Sequence, residues 1–244
     1  MDTDREIIAI AVGREYLRTL LRALELYDGG QTYAHSWRVA RGIRIIGTRI
    51  GWHPEVTGLG IRAALLHDIG KMLIPRPILI KPGEPDDVEW RELRRHPRLG
   101  FELVRGEDSG VAEVLVAHHE CAWRPRGQEH RNYPRTDQRR HFSERRIIQR
   151  VLSQDRRFHE RRADRSAWRP LHLALAVSDV IDALASERWY KQPFPDDRIR
   201  NIVREHFPLL PDIAEWLIAA RAELQEPVTS LPIHLREPEP PEYL

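Results

Sequence analysis

The sequence predicts an all-α fold, and three features carry that prediction. Long stretches repeat apolar residues at spacings of three and four, the period of a helix with one buried face. No segment sustains the alternation of a half-buried strand. Glycine and proline fall where helices stop and start: Asp28-Gly29-Gly30 closes the first apolar stretch, and Pro54, Pro195 and Pro211 stand near the starts of later ones.

A first helix is expected over about 5–27, carrying Ile7, Ile8, Ile10, Leu17, Leu20, Leu21 and Leu24. Two roles are open for it: pairing with a second copy as a homodimer, or packing on its own domain. Helices over about 31–50 and 55–68 follow. From Met72 to Pro85, the prolines at 75, 77, 82 and 85 with Gly83 read as an irregular connection, since proline lacks the amide hydrogen of a helix interior. Further helices are expected over about 87–94, 96–105, 109–120, 169–185, 196–206 and 211–224. The chain thus divides into an N-terminal helix (1–30), a helical domain (31–225) with an insertion at about 121–168, and a Pro/Glu-rich tail (226–244). With too little apolar surface to fold alone, the tail is expected to be extended.

Composition excludes several classes. At 244 residues, 41% hydrophobic and 31% charged, the chain is long enough for a full core and reads as a soluble globule. The single cysteine, Cys121, leaves no intrachain disulfide and fits a reducing cytoplasm. No uncharged apolar run approaches the roughly 18 residues of a membrane span, and the N-terminus lacks the order of a secretion signal. A cytoplasmic protein with no membrane partner is expected. Charge is uneven. Residues 121–169 hold fifteen arginines, no lysine and six acids, so they carry +9 and leave −7 on the rest.

Five of the expected helices aim polar residues along their apolar stripes. The stripe Val39, Ile43, Ile46, Ile50 leads back to His35, and Val56, Leu59, Ala63 leads forward to His67 and Asp68. Leu99 and Leu103 lead back to His96; Val111 and Val114 lead to His118, with His119 adjacent; Leu171 and Leu175 lead to Asp179, with Asp182 nearby. One such histidine is more often a core residue bonded to a carbonyl. So many inward imidazoles and carboxylates together are most economically satisfied by metal coordination. A mixed nitrogen and oxygen set without thiolate suits iron or manganese and admits zinc, nickel or cobalt. The two oxygens of Asp68 can bridge two cations, which would supply a hydroxide at neutral pH for phosphoryl displacement.

These residues lie within longer motifs: Ala64-Leu65-Leu66-His67-Asp68-Ile69-Gly70-Lys71, Pro77-Ile78-Leu79-Ile80-Lys81-Pro82-Gly83, His96-Pro97-Arg98-Leu99-Gly100, His118-His119-Glu120, and Asp179-Val180-Ile181-Asp182-Ala183-Leu184. In that order they resemble the HD superfamily of metal-dependent phosphohydrolases, and more narrowly its HD-GYP subfamily. The resemblance implies a phosphodiesterase that opens cyclic di-GMP to linear pGpG, and onward to GMP. Matched motif by motif, it implies His35, His67, Asp68, His96, His118, His119 and Asp179 as metal ligands. Gln31 stands where members with a third metal have glutamate, so two divalent ions, Fe or Mn, are expected. The resemblance implies Lys71, Arg188 and Lys191 as contacts to substrate phosphates. It departs at the loop that names the subfamily, where only Tyr133-Pro134 remains of the signature, displaced by several residues; Tyr133 is the matched substrate contact.

The arginine-dense insertion has three readings: a solvated helix near 143–162 or an irregular loop, a basic lid over an anionic dinucleotide, or a nucleic-acid surface. The acidic remainder and the absence of a nucleic-acid motif weigh against the last. The function expected is a di-metal cyclic di-GMP phosphodiesterase. The alternatives are hydrolysis of another cyclic dinucleotide or nucleotide, and a non-hydrolysing signalling module that binds cyclic di-GMP or a diguanylate cyclase partner.

Overall fold

The computed structural model describes residues 2–27, 30–81, 83, 85–119, 169–186, 192–207 and 211–227. Among them the fold is all-α, with no strand. The insertion, its expected helix near 143–162 and the tail beyond 227 lie outside the described residues.

The N-terminal stretch is two helices rather than the single one expected over 5–27: α1 (Asp2–Val12) and α2 (Glu15–Tyr27). Gly13, a poor helix former, stands at the break, and the Arg18 guanidinium donates to the end carbonyl of Val12 at 2.6 Å. Ile7, Ala11, Leu17, Leu21 and Leu24 are fully buried in the common core. The apolar face of both helices therefore packs on its own domain.

Next comes α3 (Gln31–Ile50), ended by Gly51, whose φ of 75° is the left-handed cap that glycine adopts without a Cβ penalty. Helix α4 (Pro54–Leu66) opens with Pro54 in its first turn, where a missing amide hydrogen costs nothing. Then follow a 3-10 turn (Ile69–Leu73), α5 (Arg76–Leu79), α6 (Asp87–Leu93), α7 (His96–Val104) and α8 (Ser109–Val116). The proline-rich stretch expected to be irregular thus holds part of a 3-10 turn and one short helix; Pro77 lies in the first turn of α5, so no interior bond is lost. Helix α6 starts in a reciprocal cap. The Asp86 carboxylate accepts from the amides of Val88 and Glu89, and the Glu89 carboxylate accepts from the amide of Asp86.

The chain continues through α9 (Arg169–Ala185), α10 (Asp196–His206), α11 (Pro211–Ala219) and α12 (Arg221–Leu224). The helix expected over 211–224 is broken at Ala220. Helix α3 packs against α4 on one side and α9 on another, and α8 packs against α4 and α7. Ile43, Ile46, Ile61, Leu65, Leu115, Leu175, Val177 and Leu217 meet in the core between them. Asp108 ties three helices together: it caps α8 through Val111 N at 3.1 Å, and its Oδ2 accepts from Tyr16 Oη and Arg62 Nε, each at 3.0 Å. Burial, aided by the Asp108 carboxylate, pushes the Tyr16 phenol up to about 12.

One backbone contact places the two central motifs against each other. The 3-10 turn lies so close to the start of α7 that a Cβ on Gly70 would stand 2.0 Å from the His96 carbonyl oxygen and 2.6 Å from Gly100 N. Gly100 is tight from the other side, where its Cβ would meet Leu115 at 3.2 Å and Ile69 at 3.3 Å. Neither contact has a flexible side-chain end that could swing aside at the closest point to Gly70. Gly70→Ala is therefore expected to cost about 3 kcal/mol, read by thermal denaturation as a fall of roughly 6–12 °C in Tm. An unchanged Tm would mean that this approach is looser than described.

Candidate metal centre

Of the polar residues read along the apolar stripes, His35, Asp179 and Asp182 lie inside α3 and α9, whereas His67, Asp68, His96, His118 and His119 lie at or beside helix ends. His67 and Asp68 were expected on a helix reaching residue 68, yet α4 stops at Leu66 and both fall in the turn before Ile69. Likewise α8 ends at Val116, so His118 and His119 sit beyond it. His96 is the first residue of α7 and follows closely on α6, whose last residue is Leu93. Carbonyls in a last helical turn lack intrahelical partners, and here three of them meet the histidine three residues on. His67 Nδ1 donates to Ala64 O at 2.8 Å, His96 Nδ1 to Leu93 O at 2.6 Å, and His118 Nδ1 to Leu115 O at 2.5 Å.

Those bonds decide the tautomer. A carbonyl only accepts, so each Nδ1 carries the hydrogen and each neutral ring presents a bare Nε2. These nitrogens converge with the Nε2 atoms of His35 and His119. His67 Nε2 lies 3.2 Å from His35 Nε2, and His96 Nε2 lies 3.3 Å from His118 Nε2 and 3.2 Å from His119 Nε2. His96 and His118 have no hydrogen to share across that gap. Two facing lone pairs at such a distance repel each other unless a cation lies between them, so the donor set fits a metal.

Asp68 joins the two groups of rings. Its Oδ1 is 3.3 Å from His96 Nε2; its Oδ2 is 3.4 Å from His67 Nε2 and 3.7 Å from His35 Nε2. Asp179, on α9, approaches His35 Nε2 at 3.1 Å and His67 Nε2 at 3.9 Å. Three sets could each hold an ion, with ligand atoms within 4.8 Å of one another: His35, His67 and Asp179; His67, Asp68 and His118; His96, His118 and His119. Every one of the seven ligands implied by the motif resemblance falls in one of these sets. Lys71 reaches Asp68 Oδ2 with its ammonium at 2.5 Å and remains partly exposed. Tyr133, Arg188 and Lys191 lie outside the described residues.

The electrostatics are divided in the same way. His96, with burial as the chief cause, is held down to about 4; burial also drives His118 well below the usual range and lowers His119. These rings are neutral at pH 7. For His35 burial also opposes charge, but hydrogen bonds to Asp179 and Asp182 outweigh it and raise the ring to about 9. Asp68 is held well below the carboxylate range despite its burial, by the charge of Lys71 and by His67 and His96. Asp179 is likewise depressed, its burial overcome by its hydrogen bond to His35 and the charges of the neighbouring rings.

The role of Asp182, its partner Arg38 and the acceptor carbonyls escaped sequence reasoning. Asp182 was read as sharing the inward face, but its task is to hold His35 Nδ1 at 2.7 Å, which turns His35 Nε2 toward the other rings. Arg38, one turn beyond His35, forks onto that carboxylate at 2.7 and 3.1 Å. The spacing of His35 and Arg38 on one helix face was a readable signal for the second. The acceptor carbonyls of Ala64, Leu93 and Leu115 had none, because any residue supplies a carbonyl.

Residues 32–187 match the HD domain family, and the chain belongs to it. HD domains are metal-dependent, and the three candidate ion-binding sets lie in that matched region. The chain is 29% identical over 219 residues to the cyclic di-GMP phosphodiesterase response regulator RpfG of Xanthomonas campestris pv. campestris (strain 8004), covering 87% of this chain and 49% of that protein. It is 28% identical over 191 residues to the 3'3'-cGAMP-specific phosphodiesterase 2 of Vibrio cholerae serotype O1, covering 77% and 30%. Together these bear out the HD-GYP-type resemblance of the motifs. The chain spans about half or less of the length of these curated relatives. Among solved structures, the HD domain of the L. monocytogenes phosphodiesterase PgpH shares the fold with a TM-score of 0.53 at 17% identity, over 84% of this chain and 98% of that one. No helix among the described residues is long and apolar enough to cross a membrane.

The contrast between His35 and the other rings has a measurable sign. In metal-free protein the stabilisation from His35 charge is present below its unfolded value of 6.5 and is lost as pH rises through about 9. At pH 7 His35 therefore carries a second proton that a cation must displace, whereas His96 and His118 are neutral. Calorimetric titration of metal-free protein with Mn(II) at pH 7, in two buffers of different ionisation enthalpy, is expected to show release of about one proton per chain. That release should vanish above about pH 9. Equal apparent heats in the two buffers at pH 7 would contradict this assignment.

Proposed function

We propose that this protein is a metal-dependent phosphodiesterase that hydrolyses cyclic di-GMP to pGpG and onward to GMP. The observation that carries the proposal is the convergence of imidazole Nε2 atoms in two groups, one on each oxygen of a single buried carboxylate, Asp68. Such an array serves a pair of divalent cations better than one. When bound, the two ions supply an activated water and neutralise charge on a phosphodiester. In this reading His35, His67 and Asp179 would hold one ion and His96, His118 and His119 the other, with Asp68 available to either. Iron or manganese suits the nitrogen and oxygen donors.

The chain's own residues supply orientation and charge. Lys71 is a cation at the partly exposed edge of the site, paired with Asp68 and positioned to meet a phosphate oxygen. Tyr133, Arg188 and Lys191 are assigned to the substrate by motif alone. Names of relatives support the substrate class: some are cyclic di-GMP phosphodiesterases and others 3'3'-cGAMP-specific. The second group favours 3'3'-cGAMP as the alternative substrate, since both molecules present the same paired phosphodiesters to the ions.

Protein purified without oxygen and loaded with Mn(II) or Fe(II) is expected to turn over cyclic di-GMP, with a slower or faster rate on 3'3'-cGAMP read in parallel by chromatography. Asp68→Ala removes the shared carboxylate and should reduce turnover of either to background. Stoichiometric metal in the wild type with neither dinucleotide cleaved would overturn the substrate assignment.

A further inference from the structure

The HD domain match ends at residue 187, yet a side chain well beyond it reaches the support of His35. The buried Asp182 carboxylate is saturated with donors. Its Oδ2 accepts from His35 Nδ1 and Arg38 Nη2; its Oδ1 accepts from Arg38 Nε at 2.7 Å, Ser186 Oγ at 3.0 Å and Gln225 Nε2 at 3.2 Å. Gln225 Nε2 also lies 3.1 Å from Ser186 Oγ. Among the described residues, Gln225 is the one donor to Asp182 that comes from outside α3 and its immediate partner α9 with the residue that follows it.

The segment carrying Gln225 is fixed independently. Arg41, on α3 and under two turns from His35, is 1% exposed. Its Nη1 donates to Leu224 O at 3.1 Å and Glu226 O at 2.7 Å, and its Nη2 to Pro227 O at 3.5 Å. The same guanidinium forks onto Asp4 of α1 at 2.8 and 2.9 Å. A buried guanidinium needs most of its donors satisfied, so this backbone is held against the helix that bears His35.

We propose that Gln225 is a positioning residue for His35. Its amide holds Asp182 Oδ1, and that carboxylate in turn holds His35 Nδ1 and sets the direction of His35 Nε2. A neutral amide does this without adding a charge beside the ring; a carboxylate at the same place would set two anions against each other. The inference rests on the reading of this site as a two-ion centre.

The test needs no substrate. Metal-free wild type, Gln225→Met and Gln225→Glu are titrated with Co(II) in the absence of oxygen, following visible absorption and competition with a chelator, beside thermal unfolding of the metal-free forms. Methionine keeps length and bulk but cannot donate. Wild type should bind two ions. Gln225→Met should weaken one of them by about 10- to 100-fold, with the spectrum of the other ion and the metal-free Tm unchanged. Gln225→Glu should weaken the same ion further. Gln225→Met binding both ions as wild type does would overturn the proposal, and so would equal weakening of both ions with a lower Tm, the mark of a packing role. Fewer than two ions bound by wild type would remove the two-ion reading itself, which the wild-type titration decides separately.

Discussion

An imidazole offers a bare Nε2 only while something accepts the hydrogen on Nδ1, and that constraint organises this protein. His67, His96 and His118 meet it with the cheapest acceptor available, a main-chain carbonyl three residues back in a last helical turn. The ends of α4, α6 and α8 therefore have to be brought together, and their negative dipole ends add to the attraction for a cation. His35 lies within α3, where carbonyls are already engaged, so its acceptor is a side chain, Asp182 of α9. Burying that carboxylate requires donors, and Arg38 and Ser186 follow from the need.

The two kinds of acceptor give the rings different characters. His96 and His118, held by neutral carbonyls, are driven toward the uncharged form by burial, whereas His35, between two aspartates, is driven toward the charged form. The site is thus a neutral half and an ionic half meeting at Asp68. Glycine matters here for distance rather than for torsion. Gly70 lets the segment with Asp68 and Lys71 touch the backbone of His96, and any side chain would push the two halves apart.

Much of this was legible in the sequence where it depended on side-chain type and period. The inward positions of His35, His67, His96, His118 and Asp179 follow from apolar spacing, and the all-α class follows from the same signal. Helix ends were less legible. The break at Gly13 and the stop at Leu66 interrupt an apolar pattern that runs straight through both. The short helix α5 was missed because prolines argue against helix interiors, and a four-residue helix has almost no interior. Bonds such as Gln225 to Asp182 join residues 43 apart, and nothing local encodes them.

That last bond gives the site an order of assembly. The ring group of His96, His118 and His119 is complete once the first 119 residues exist, and the carbonyls that accept from His96 and His118 are close neighbours in sequence. The support of His35 instead waits for α9, and then for residues 224–227, which Arg41 captures from 183 or more positions away. Closing a loop of that length is an entropic step that local contacts cannot anticipate. As the chain emerges from the ribosome, the residues of the neutral half are all present by position 119, whereas the support of His35 cannot be completed before residues 224–227 arrive.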